Sequence, residues 1–249
     1  MVSFEEHPLT WGLMIINTLV FILVFSLPNT EAAFNLFSFS WATKLEVWRW
    51  FTSLFMHVSA SHLFFNMLGL FFFGKVLEKE VSRQWFLSIY FISGLLGSFV
   101  YMFTETMPVV GASGCVFGVM GAAMLLNPIK RIHLYIFPLP LGVVAIAFVI
   151  FETLAVYFRP EQFAELTRNV ANIAHLAGVM TGGMFALFYD LKRSMKGVLV
   201  LGVCVVLLIV LSPVFALIAG FASLILGVID MVVGMVLYGL AYLVSFLWV

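Results

Sequence analysis

Apolar and polar positions fall along this chain in long blocks, not in the short periods of a soluble domain. Residues 9–27 form a mostly apolar run that ends at Pro28. Further runs reach from Ser59 or Ser61, either of which could cap a helix, to 74, and then cover 84–103, 113–127, 139–158 and 170–189. A membrane-crossing helix needs about 20 apolar residues, so the blocks predict a series of transmembrane helices. The fourth block would be about 22 Å long as a helix, too short to cross the hydrocarbon core alone. It is expected to begin below the surface and to be surrounded by the other helices.

The connections differ in kind. Residues 28–52 mix Phe34, Phe37, Phe39, Trp41, Trp48 and Trp50 with Lys44, Glu46 and Arg49. That mixture predicts a structured loop at the membrane interface. Glu105 and Pro108 sit in a short turn, and Pro128, Lys130, Arg131 and His133 form the next one. Residues 197–249 carry a single charge, Asp230, and are expected to hold about two more spans, broken near Ser212-Pro213 or Gly220. The chain therefore reads as a six-span core over 1–196 and a hydrophobic extension over 197–249. Asp230 reads as structural, or as a break between helices.

Composition agrees with a chain placed mostly in lipid. Hydrophobic residues make up 63% and charged ones 10%, where a soluble domain carries about 25% charged. The net charge of +0 leaves no basic field for nucleic acid. Glu5 and Glu6 stand where a signal peptide would be basic, and no small-residue cleavage site follows, so no cleaved signal is expected. Cys115 and Cys204 lie in apolar runs and read as packing residues. With no phosphate loop, cysteine cluster or His-Glu-x-x-His pattern, no metal and no cofactor is expected. Basic residues gather after the second, fourth and sixth blocks, which predicts that those loops and the N-terminus are cytoplasmic.

The candidate chemistry lies at one depth. Gly111-Ala112-Ser113-Gly114 heads the fourth block. Ser113 is either an N-cap or a nucleophile placed where unpaired N–H groups favour an oxyanion. His175 lies early in the sixth block, and His62 and Asn66 early in the second. All three blocks are expected to enter from the external side, so their polar residues meet a little below that surface. Such residues are expensive in lipid and face a cavity or one another. A serine needs a base, and histidine is the usual one at neutral pH. His62 and Asn66, four apart, share a helix face and could hold an oxyanion together with the Ser113 amide. No carboxylate is placed to orient His175, so a dyad is expected, with Phe117 packing beneath the imidazole. Gly114, Gly118 and Gly121 in one block, and Gly178 and Gly182 in the other, would let the two helices approach closely. His57 reads as structural, while His7 and His133 sit in polar loops and need no function.

As a set these residues resemble the rhomboid intramembrane serine proteases. The matches are Trp48-Arg49, His57, His62-x-x-x-Asn66, Gly111-Ala112-Ser113-Gly114 and His175-x-x-Gly178-x-x-x-Gly182. The resemblance implies an all-α membrane protein with a rhomboid-like six-helix bundle, here with about two additional C-terminal helices. It implies Ser113 as nucleophile, His175 as base, and His62, Asn66 and the Ser113 amide as oxyanion hole. Trp48 and Arg49 would brace the first loop. The implied partners are transmembrane protein substrates within the bilayer, cut after a small residue. Phe117 stands where some members have tyrosine. Substrate is expected to enter beside the fifth span, past Phe148, Phe151, Tyr157 and Phe158, with 159–168 as a lid, and to pair strand-like near 109–112. The alternative is a proteolytically inactive rhomboid-like binder of membrane clients; a transporter fits less well, because the polar residues do not trace a path across the bilayer.

Overall fold

The computed structural model describes residues 4–134, 137–146 and 172–207, with single positions 210, 228, 231, 232 and 235 beyond them. The expected wall at Phe148–Phe158, the lid at 159–168, the break near 212–220 and Asp230 all lie outside the described residues. Two compact units are present, Met1–Gly202 and Val203–Val249. Within the second, 203–207 are helical and Cys204 is a free thiol.

Helix α1 spans Pro8–Ser26. Proline at its first position costs no hydrogen bond. His7 occupies the N-cap without a side-chain bond, and the Glu78 carboxylate takes over that task from a distant part of the chain. It accepts from the Leu9 N–H at 2.7 Å, the Thr10 N–H at 2.9 Å and the Thr10 hydroxyl at 2.6 Å. His7 is buried at 4% exposure, against the expectation of a solvated loop position. Leu27 is extended, as the residue before a proline must be.

The predicted interfacial loop contains α2, Thr30–Phe37, capped by Asn29, and α3, Val47–Thr52. Helix α4, Ala60–Glu78, starts where Ser59 accepts the His62 N–H at 3.1 Å. It runs four residues past the expected end, through a π-helical stretch at Leu70–Gly74. Helix α5 is Arg83–Thr104 and α6 is Ser113–Leu126. The turn expected after α6 is a hairpin of β1, Arg131–Leu134, with β2, Phe137–Pro140, antiparallel with Arg131 opposite Pro140. Helical structure resumes at 141, two residues later than the apolar block suggested, because 139 and 140 pair in the hairpin. Helix α7 is Asn172–Tyr189. Among the described residues α1, α4 and α5 are long and apolar enough to cross a membrane.

Helix α6 is the centre of the first unit. Eleven of its 14 residues are buried, which fits a short helix enclosed by others. Its partners approach backbone to backbone. A Cβ on Gly178 would strike the Gly114 carbonyl, one on Gly182 the Gly118 carbonyl, and one on Gly121 the Val179 carbonyl. The Gly114–Gly178 and Gly118–Gly182 contacts advance in the same direction along both helices, so α6 and α7 run parallel. On the other flank, a Cβ on Gly94 would meet the Cys115 sulfur and one on Gly118 would meet Ser93 of α5.

At the opposite end of α6 from Ser113, Arg193 gathers three segments. Its Nε donates to the Leu126 carbonyl at 2.7 Å, an otherwise unpaired acceptor of the helix end. Its Nη2 reaches Asn127 Oδ1 at 2.5 Å and Glu80 Oε2 at 2.8 Å. Glu80 also meets Lys130 at 3.4 Å, and its carbonyl accepts the Tyr189 hydroxyl at 3.0 Å.

Candidate active site

Ser113 is the first residue of α6. The N-cap is Ala112, which makes no side-chain cap, so the capping role open to Ser113 in the sequence is not the one it has. The preceding segment is held from two sides. Val109 exchanges both backbone bonds with Phe39, at 2.7 and 3.1 Å, and the Gly111 N–H donates to the Ser53 carbonyl at 2.9 Å. Gly111 has φ +124, a conformation suited to glycine.

The space a side chain at Gly111 would fill holds the His62 imidazole. A Cβ there would lie 2.8 Å from His62 Nε2 and 3.8 Å from Ser113 Oγ. One point is thus within 4 Å of both groups, which brings α4 and the head of α6 into one pocket. Asn66, 6% exposed, donates from Nδ2 to the His62 carbonyl at 3.0 Å, leaving its second amide N–H.

His175 is 6% exposed on α7. Its ring lies on that of Phe117, centroids 4.4 Å apart and planes within 4°. Ser113 is one residue before Gly114 and His175 three before Gly178, so both stand at the same end of the parallel pair, within a turn of its first backbone contact. The Ser113 hydroxyl has the His62 imidazole beside it, and His175 on its stack with Phe117 stands at the same end of the helix pair.

Arg49 is buried at 6%. Its Nη1 donates to the Asn35 carbonyl at 2.6 Å and the Ser38 carbonyl at 3.0 Å, and its Nε to Glu46 at 2.8 Å. Trp48 is half exposed, with its indole N–H on the Leu36 carbonyl at 3.3 Å. Both therefore bind the end of α2. His57 is 1% exposed, its Nδ1 at 3.2 Å from the Phe55 carbonyl. Burial, followed by the charge His62 would carry, pushes its imidazole down to about 4 despite that bond.

Sequence reasoning passed over Phe39, Ser53, Glu78 and Asn172. The first two act through backbone atoms, which leave no mark in a sequence. Glu78 looked like one loop charge among several. Asn172, 5% exposed and three residues before His175, is a polar position in an apolar helix and could have been noticed.

A model of the Rhomboid domain matches residues 44–193, which include every residue just described from Lys44 to Arg193. Three curated relatives, the rhomboid protease GlpG of Salmonella choleraesuis, Salmonella newport and Salmonella typhimurium, are each 31% identical over 193 residues. The alignment covers 76% of this chain and 65% of each relative, so the chain spans less than two thirds of their length. On the extent of that match, the chain is a member of the rhomboid family.

Proposed function

We propose that this protein is an intramembrane serine endopeptidase that hydrolyses peptide bonds in or near transmembrane segments of membrane proteins. The observation that carries the reading is the head of the parallel α6–α7 pair. Glycine contacts bring the backbones together, Phe117 fixes the plane of His175, and His62 lies on Gly111 beside Ser113. The family membership and the name of the relatives support it as well.

In this scheme His175 takes the Ser113 proton as the hydroxyl attacks the substrate carbonyl. Negative charge develops on the carbonyl oxygen at the N-terminus of α6, where N–H groups are free of helix bonds and the dipole favours an anion. The Ser113 amide, His62 and the second Asn66 N–H stabilise it. His175 then returns the proton to the leaving amine, and water releases the acyl-enzyme. Extended substrate pairs with the backbone before Ser113, as the sequence suggested, and Val110 is the residue to bind it. Val109 and the Gly111 N–H are already committed to Phe39 and Ser53, whereas among the described residues the Val110 backbone has no such bond. Val110 thus offers one free strand edge. The six-plus-two span count, the cytoplasmic N-terminus and a site opening toward the external face belong to the same proposal.

A fluorophosphonate probe tests the nucleophile. Labelling of the wild type at Ser113, lost in Ser113→Ala, together with product sequencing of single-span substrates, is the expected result. A protein that binds such substrates, resists the probe and leaves them intact would be a client binder.

A further inference from the structure

The His57 and His62 rings stand edge to face, centroids 5.0 Å apart with planes at 61°. Each has one buried nitrogen with no protein hydrogen-bond partner among the described residues, Nε2 of His57 and Nδ1 of His62. The protonation of both rings follows from their other nitrogen. His57 Nδ1 faces the Phe55 carbonyl, which only accepts, so Nδ1 carries the proton and Nε2 is a bare lone pair. Burial of His57 disfavours a second proton. His62 turns Nε2 toward the Gly111 and Ser113 side. To donate a hydrogen bond there it must hold its proton on Nε2, which leaves Nδ1 as a second lone pair.

Two acceptors cannot satisfy each other. A small species with two donors, seated beside the edge-to-face contact of the two rings, can satisfy both, and interiors commonly use water in that way. We propose that one buried water donates both hydrogens across this pair, one to His57 Nε2 and one to His62 Nδ1, and thereby fixes His62 as the Nε2–H tautomer. His57 is then a positioning residue, acting on the reaction through His62 alone. The inference rests on the reading of His62 as an oxyanion donor.

The test is solid-state NMR of the full chain, labelled with ¹⁵N-histidine, in lipid bilayers, with His62 assigned by its loss in His62→Asn. The expected spectrum shows His62 protonated on Nε2 and bare on Nδ1, with a slowly exchanging water proton close to both His62 Nδ1 and His57 Nε2. A protonated Nδ1 on His62, or no water proton at these nitrogens, overturns the proposal. A second arm compares His57→Leu with His57→Gln, whose amide can itself donate toward His62. The leucine variant should mix the His62 tautomers and lower kcat about tenfold, part of what loss of a whole oxyanion donor costs, with KM unchanged. The glutamine variant should recover most of that loss. A folded leucine variant with unchanged His62 signals or unchanged kcat also overturns the proposal. If that variant does not fold, the wild-type spectrum and the glutamine variant decide. The spectrum needs no turnover, so failure of the water bridge is distinguishable from failure of the protease reading, which the Ser113 probe reports.

Discussion

The His175 imidazole lies flat on the Phe117 ring, at 4.4 Å between centroids and 4° between planes. The two residues come from neighbouring helices, and the stack defines the plane in which the imidazole can exchange a proton. An aromatic pair of this kind contributes about 0.5–1.5 kcal/mol beyond its buried area. Phe117→Ala should lower kcat on a single-span substrate by about tenfold with little change in KM, as expected for a group that orients the proposed base. Phe117→Tyr keeps the ring and should stay close to the parent. Steady-state kinetics in proteoliposomes check both.

Gly178 and Gly182 have no room for a methyl group, since each Cβ would meet a carbonyl of α6. Gly182→Ala must separate two packed backbones, at a cost of about 1–3 kcal/mol or more. Activity should fall together with stability. Thermal unfolding in detergent and cleavage assays on the same preparation read the two effects.

Gly111→Ala separates site geometry from global packing. The substitution is strained at φ +124 and displaces the His62 ring. The backbone strain is about 1–3 kcal/mol, so the protein should fold at a reduced melting temperature. Cleavage should drop by far more than stability does, because the displaced imidazole is a proposed oxyanion donor. A Gly111→Ala protein of parental activity contradicts the assignment of His62.

Glu80 gives a pH dependence of known sign. Burial alone would raise its pKa, but the hydrogen bond and charge of Arg193, with Lys130, outweigh burial and hold it below the usual 4.5. A carboxylate whose pKa is lowered on folding contributes stability above its unfolded value, and loses it as pH falls through the folded one. Stability should therefore begin to decline below pH 4.5, and Glu80→Gln should flatten that decline. Arg193→Ala should cost about 1–2 kcal/mol at neutral pH, a modest figure because the pair is partly exposed. Unfolding curves from pH 3 to 7 measure both.

The sequence carried the positions of the described helices and the close approach of two of them, for separable reasons. Block length and the serine before Ala60 locate α4, and the glycines at 114, 118, 178 and 182 already said that two helices must touch. The extra turn at 75–78 stayed hidden because its charged residues look like a loop. They stay helical because Glu78 caps α1 and Lys79 pairs with Glu6 at 3.0 Å. The hairpin at 131–140 was not legible for a similar reason: a short pairing between turn residues has no apolar period to announce it. Arg193 read as one cytoplasmic charge among several, and only its three-dimensional partners distinguish it from Lys192.

The twin backbone bonds between Phe39 and Val109 have a mechanical consequence. The first connection of the chain is stitched to the strand leading to Ser113, four residues upstream of the hydroxyl. Any displacement of 38–40 would be passed through the Phe39–Val109 pair and along the chain to the head of α6. The place of the first connection and the alignment of the proposed nucleophile thus depend on one piece of backbone.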